Sequence, residues 1–254
     1  MLSSKQISEY RDRGYLILKN LLEKDEFVKI EKAIEDIEEM DGPEFYREKD
    51  SRKVRTIFAP EKFHDAIQEL VDNEKIRGII GQLINSEFYL FQSKLNSKAS
   101  LQSGVWSWHQ DFKFWREDGM LQPDALTLAI FLTDVDISNG PILAIPGSQK
   151  YGEVESFLNN PDGVHDENLK YLIKQETLAK MVDEFEPITP LLGKAGDAVI
   201  FSSNILHGSY QNMGIVDRKL LMFTFNPTHN IKEVENPRPE YMVKTDKRVL
   251  NLQS

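Results

Sequence analysis

Cysteine is absent from the 254 residues. That excludes a disulfide framework, a thiolate metal site and a cysteine nucleophile, so any metal here must be held through nitrogen and oxygen. Also missing is an apolar run approaching the ~18 residues needed to cross a bilayer. The opening Met1–Tyr10 is polar and lacks the apolar core of a signal peptide, which makes a cytoplasmic location the expectation. Positive charge is scarce: 31 Lys and Arg stand against 41 Asp and Glu, for a formal charge of -10. A general nucleic-acid binder needs a basic footprint, so that class is disfavoured, whereas a small anionic ligand is not. There is no Gly-x-Gly-x-x-Gly, no P-loop, no Gly-x-Ser-x-Gly elbow and no His-Glu-x-x-His helix.

What is present is an ordinary globular composition, 40% hydrophobic and 28% charged, enough to core one large domain. The spacing predicts a helix-rich part over 1–85. Ser4 is positioned to cap a first helix that Gly14 ends, and Tyr15–Leu18 reads as a short buried strand. Glu23–Met40 has apolar residues at helical spacing (Phe27, Ile30, Ala33, Ile34, Ile37), and Glu61–Val71 and Glu74–Ile84 follow suit. From Ser86 the character changes to β-rich runs separated by turn signals: Phe88–Leu95, Leu126–Leu132, Pro141–Ile145, Ala198–Phe201 and Leu220–Phe225. Such runs predict a barrel or jelly roll over 86–227. Residues 151–186 read as a polar, partly helical insertion, and 228–254 as an extended C-terminal arm. The whole is expected to be a single mainly β domain with flanking helices. A lid is expected at Gly119–Pro123 or in the insertion.

Two stretches carry the chemistry. Trp108-His109-Gln110-Asp111 places an imidazole and a carboxylate two apart, on one face if the segment is a strand. Asn204-Ile205-Leu206-His207-Gly208-Ser209 supplies a second imidazole. Two His and one carboxylate with open positions is the ligand set of non-heme Fe(II) oxygenases. His109 taken alone is as readily a half-buried His bonded to a neighbouring carboxylate. The clustering of all three Trp (Trp106, Trp108, Trp115) within seven residues of it favours a shielded reactive centre. His207 has a plainer reading as a strand-end His bonded to a carbonyl, but Gly208 beside it permits close backbone approach. Arg218 is placed to grip a carboxylate in bidentate fashion, with Ser209 assisting; its plainer reading is a surface ion pair with Asp217. Gln92, Lys94 and Asn96 alternate along one strand, and the residues alone favour a solvent-facing strip. His64, His165 and His229 read as surface residues. Zinc in a His/His/Asp site is also physically possible.

At these residues the chain resembles the phytanoyl-CoA dioxygenase family, with its strongest likeness to the ectoine-hydroxylating members. The likeness runs through Gly14–Leu18, Trp108–Trp115, Glu117–Met120, Leu132-Thr133-Asp134, Asn139-Gly140-Pro141, Ile145–Ser148 and the Gln92-x-Lys94-x-Asn96 strand. Gln110, Lys113 and Phe114 depart from the residues expected in the ectoine-hydroxylating members. The resemblance implies a double-stranded β-helix and an Fe(II)- and 2-oxoglutarate-dependent dioxygenase, consuming O2 and releasing succinate and CO2. It implies that His109, Asp111 and His207 bind iron. Arg218 and Ser209 would hold the distal carboxylate of 2-oxoglutarate, with Lys94 and Asn96 nearby, which reverses the solvent-facing reading of that strand. Gln92, Trp115 and Phe201, then Thr127 and Ala125, would face the primary substrate. Halogenating relatives carry a small residue where Asp111 stands, so hydroxylation is the implied outcome. The implied substrate is a small polar or zwitterionic molecule, an ectoine-like compound or a free amino acid, taken by a monomer or homodimer with no membrane or nucleic-acid partner. The alternatives are a natural-product intermediate or carrier-bound acyl thioester, for which neither 1–85 nor 151–186 is clearly basic, and a jelly-roll binding protein without catalysis.

Overall fold

Helix Ser4–Arg13 begins one residue earlier than Ser4 would place it. Ser3 Oγ accepts from Gln6 N at 3.3 Å, and the Gln6 side chain accepts from Ser3 N at 3.0 Å. This reciprocal capping box satisfies two amides that the first turn leaves without partners. The helix ends at Gly14, whose left-handed φ of 77° lets its N–H reach Tyr10 O. The chain then turns straight into strand Tyr15–Leu18. The computed structural model describes residues 1–49, 51–102, 104–160, 169–244 and 247–250.

Helix Lys24–Glu38 buries Ile30, Ala33, Ile34 and Ile37, the inner stripe expected of its spacing. The stretch expected as one helix over Glu61–Val71 is divided. A 3-10 turn, Pro60–Lys62, stops before His64, and the His64 ring accepts from Ala66 N at 3.1 Å to start helix Asp65–Asp72. His64 is therefore a half-buried cap, whereas His229 is exposed and His165 lies outside the described residues. Asn73 caps helix Glu74–Ile84 in the usual way.

The helix-rich part also contributes strands. The major sheet has seven, in spatial order Tyr15–Leu18, Ala198–Ser202, Leu126–Phe131, Arg218–Pro227, Phe88–Lys98, Val54–Phe58 and Phe45–Arg47. The last two were not visible in the sequence. Val54–Phe58 is buried throughout, with Arg55 stacked 4.8 Å over the Trp106 ring, so a charge interrupts its apolar pattern. A four-stranded sheet, Thr189–Leu191, Ile142–Ala144, His207–Ser209 and Trp106–His109, faces the major one. Paired strands in both are antiparallel.

Strand periodicity divides the apolar side chains between two layers. Leu126, Leu128, Ile130, Leu221, Phe223 and Phe225 face the helices, packing with Ile30, Ile34 and Ile67. Ala129, Phe131, Val199, Phe201, Leu220 and Met222 face the smaller sheet and pack with Ile142, Ala144 and Leu191. Each large side chain so buried contributes roughly 1.5–3 kcal/mol by leaving water. Of the insertion, the described part holds a hairpin, Ser156–Leu158 with Tyr171–Ile173, and helix Gln175–Glu184. The C-terminal arm is not free. Met242 and Val243 are buried with Phe58, Phe91 and Trp115, and Lys244 N donates to Phe91 O at 2.8 Å. Among the described residues no helix is long and apolar enough to cross a membrane.

Candidate active site

His109 and Asp111 meet, but not along one strand. The strand Trp106–His109 stops at His109, Gln110 is extended, and Asp111 opens the short helix Asp111–Trp115. Phe112 N donates to Ser203 O at 2.9 Å, which turns the chain at this point. Asp111 thus sits in the first helical turn, where a carboxylate suits the helix dipole. Its neighbour strand supplies the second imidazole: His207 pairs with His109 in register, and the rings lie 4.2 Å apart. A bulge follows, so that Ser209 pairs with Trp106. The extra residue breaks the alternation and brings Trp106 to the same pocket as His109. Trp108 packs instead against the cluster of Ile145, Val154, Met181 and Leu206.

Ligand atoms of His109, Asp111 and His207 all lie within 4.8 Å of one another. His109 Nε2 is 3.5 Å from Asp111 Oδ1, and His207 Nε2 is 3.8 Å from Oδ2. Each imidazole directs Nδ1 at a backbone carbonyl, Ser107 O at 2.7 Å and Ile205 O at 3.0 Å. A carbonyl only accepts, so the proton belongs on Nδ1 and both Nε2 lone pairs face the third ligand. Burial, with His109 close by, outweighs the pull of Asp111 and lowers His207 to about 4, keeping it neutral at ordinary pH. Burial alone would raise Asp111. The His207 and His109 rings beside it, together with the Lys94 ammonium, outweigh that and hold it well below the usual carboxylate range. A neutral His207 and an ionised Asp111 are the protonation states a divalent metal requires of such ligands. Gly208 is needed as glycine, because a Cβ there would sit 2.9 Å from Trp106 O.

The same pocket is lined by Gln92, Lys94, Asn96, Trp115, Ser209 and Arg218. Arg218 does not pair with Asp217, which instead takes Lys53 Nζ at 3.0 Å. It is 1% exposed. Its Nη1 donates to Asn96 Oδ1 at 3.1 Å, while Nε has no partner. Leu220 pairs with Asn96, so Arg218, two residues along the adjacent strand, meets Asn96 diagonally. Burial pushes the guanidinium down to about 9, still charged at neutral pH. A buried cation with an unsatisfied donor is a receptor for an anion. Lys94 faces the same space and is lowered by burial, with Asp111 opposing and Arg238 reinforcing.

Three residues expected to face the substrate do not line this pocket. Phe201 is fully buried and packs beneath the His207 ring, 5.2 Å between centroids. Thr127 points between the sheets, but its hydroxyl is spent on Thr224 Oγ1 at 2.9 Å. Ala125 precedes that strand and borders a separate surface hollow beside Pro123 and Ser202.

 Arg238, missed in the sequence, lines the same pocket. Phe58 and Phe114, together with Leu169 from the insertion, also line it. Arg238 is held by two bonds to the buried Asp118, Nε donating to Oδ1 at 2.8 Å. The arm that carries it is stitched down by Lys232 N to Gly119 O at 3.0 Å and by Gln92 Nε2 to Met242 O at 2.7 Å. The available signal was Pro237-Arg238-Pro239: prolines on both sides stiffen a segment with no helix or strand of its own.

The model of the family described as phytanoyl-CoA dioxygenase matches residues 10–220. The chain belongs to the phytanoyl-CoA dioxygenase family. Among curated relatives, an L-proline trans-4-hydroxylase of Streptomyces griseoviridis is 34% identical over 245 residues, covering 93% of this chain and 91% of that one. An ectoine dioxygenase of Nocardia farcinica is 31% identical over 256 residues, 96% and 85% of the two chains. Among solved structures, EctD from S. alaskensis with 2-oxoglutarate and 5-hydroxyectoine superposes with a TM-score of 0.83 at 25% identity, covering 97% of this chain and 85% of that one. The fold is thus the family's mainly β, cupin-like one.

Proposed function

We propose that the protein is an Fe(II)- and 2-oxoglutarate-dependent dioxygenase that hydroxylates an unactivated C–H bond of a small zwitterion, an ectoine-like compound or a free amino acid such as proline. The observation that carries this reading is the convergence of His109, Asp111 and His207 in the same pocket as the buried, partnerless Nε of Arg218. The donor set fits the metal: two imidazole nitrogens and a carboxylate suit Fe(II) and leave positions open. The orphaned guanidinium donor fits a co-substrate carboxylate. When bound, iron with 2-oxoglutarate and O2 supplies the oxidising power, and one oxygen atom goes to the substrate and the other to succinate as CO2 leaves.

The chain's own residues do the rest. Ser107 O and Ile205 O orient the two imidazoles. Arg218, fixed by Asn96, anchors the distal carboxylate of 2-oxoglutarate, with Ser209 and Lys94 beside it. Trp106, Trp115 and Phe114 wall off water, so that the reactive centre meets only the substrate. Arg238 presents a cation at the substrate side, held by Asp118, and suits the carboxylate of a zwitterion. That favours a free acid over a thioester, whose carboxyl carbon is already esterified. The test is succinate formation by anaerobically iron-loaded protein given 2-oxoglutarate, O2 and a panel of ectoine, proline and related zwitterions. Succinate coupled to a product one oxygen atom heavier is the expected result. Absence of iron binding would overturn the reading.

A further inference from the structure

Gln110 stands between two of the proposed metal ligands, yet its side chain is turned away from the pocket and is 3% exposed. As the residue before helix Asp111–Trp115 it occupies the capping position, but it makes no side-chain cap. Its amide is used elsewhere, in three directions. Nε2 donates to Asn204 O at 2.7 Å and to Gly152 O at 2.9 Å, and Oε1 accepts from Val154 N at 2.8 Å. Asn204 lies three residues before His207. Gly152 and Val154 root the insertion whose Leu169 lines the pocket, and Glu153 between them pairs with Lys113 at 2.8 Å on the helix that Asp111 opens.

We infer that Gln110 is a positioning residue that couples the metal-ligand set to the insertion forming part of the substrate wall. One primary amide joins three chain segments that approach from different parts of the sequence. The bond to Asn204 fixes the His109–Asp111 turn against the segment leading to His207, alongside the Phe112 N to Ser203 O bond at 2.9 Å. The bonds to Gly152 and Val154 fix the same turn against the insertion. Only a primary amide supplies two donors and an acceptor from one planar group. A carboxylate there would face two carbonyl oxygens, and an apolar isostere would leave two carbonyls and an amide without partners in a buried place. Because coupling is reciprocal, occupancy of the metal site steadies the insertion root as much as the root steadies the ligands.

The inference rests on the metal-site reading above, and its test separates the two. Co(II) is titrated into wild type, Gln110→Glu and Gln110→Met, with its visible spectrum recorded and folding followed by circular dichroism. Wild-type protein that takes no Co(II) overturns the metal-site reading itself. With wild type binding, folded variants are expected to hold Co(II) about ten- to a hundredfold more weakly, with an altered spectrum. Folded variants with wild-type affinity and spectrum would overturn the inference alone, since a merely structural glutamine would lower only the melting temperature. Should both variants fail to fold, hydrogen exchange at Val154 N–H in wild type decides. Zn(II) is expected to slow it, and exchange indifferent to Zn(II) would overturn the coupling.

Discussion

The wall of the pocket that carries Arg218, Asn96 and Ser209 is made of paired strands, whereas the wall that carries Trp115, Leu169 and Arg238 is made of a short helix, an insertion and a pinned arm. In the first, each side chain stands on a strand paired to a neighbour: Arg218 with Lys98, Asn96 with Leu220 and Thr56, Ser209 with Trp106. Moving Arg218 would mean shifting its strand out of register with Phe88–Lys98 along ten paired positions. In the second, the arm depends on a few side-chain bonds, such as Arg238 to Asp118 and Gln92 to Met242 O. The difference assigns roles: a rigid end suited to chemistry that does not vary, and a separately built end suited to selecting one substrate.

That contrast can be broken at four places, beginning with the greatest loss. Asp111→Gly removes the only carboxylate of the ligand set and is expected to weaken Co(II) binding and abolish hydroxylation; hydroxylation at a normal rate would take Asp111 out of the metal site. Arg218→Met strips the strand-built wall of its guanidinium. The KM for 2-oxoglutarate is expected to rise over a hundredfold, about 3 kcal/mol, with substrate affinity changed far less. Arg238→Gln should do the reverse: roughly a ten- to hundredfold rise in KM for a zwitterionic substrate, with 2-oxoglutarate affinity kept. A parallel rise in both constants would show that the two walls are not independent. Thr127→Val sharpens the boundary between pocket and core. Denaturant titration should show a loss of about 1 kcal/mol from the unpaired Thr224 hydroxyl, and neither KM should move.

The same division explains what the residues revealed before folding. The strands at 88, 126, 198 and 218 were legible because β-branched and aromatic runs bounded by turns report burial directly. So were Lys24–Glu38 and Glu74–Ile84, whose inner stripes recur at helical spacing. Phe45–Arg47 and Val54–Phe58 were not, since one is three residues long and the other carries a charged residue stacked on a ring. The break at His64 was hidden because its cause is one side chain accepting one amide. Phe201, Thr127 and Ala125 were assigned to the substrate wall by likeness, but Phe201 packs on the His207 ring, Thr127 bonds Thr224 and Ala125 borders a different hollow.

Residue chemistry by itself determined that a metal, if present, would be held by imidazole and carboxylate, that a sheet would carry the second imidazole, and that an arginine stood ready for an anion. Those properties belong to side-chain type and local periodicity, which survive in an unfolded chain. Only the tertiary structure decided that Asp111 reaches His109 through a strand-to-helix turn, that a bulge brings Trp106 into the pocket, and that an arm from beyond residue 227 supplies Arg238. Each of these depends on bonds between segments far apart in sequence, whose geometry no local pattern encodes.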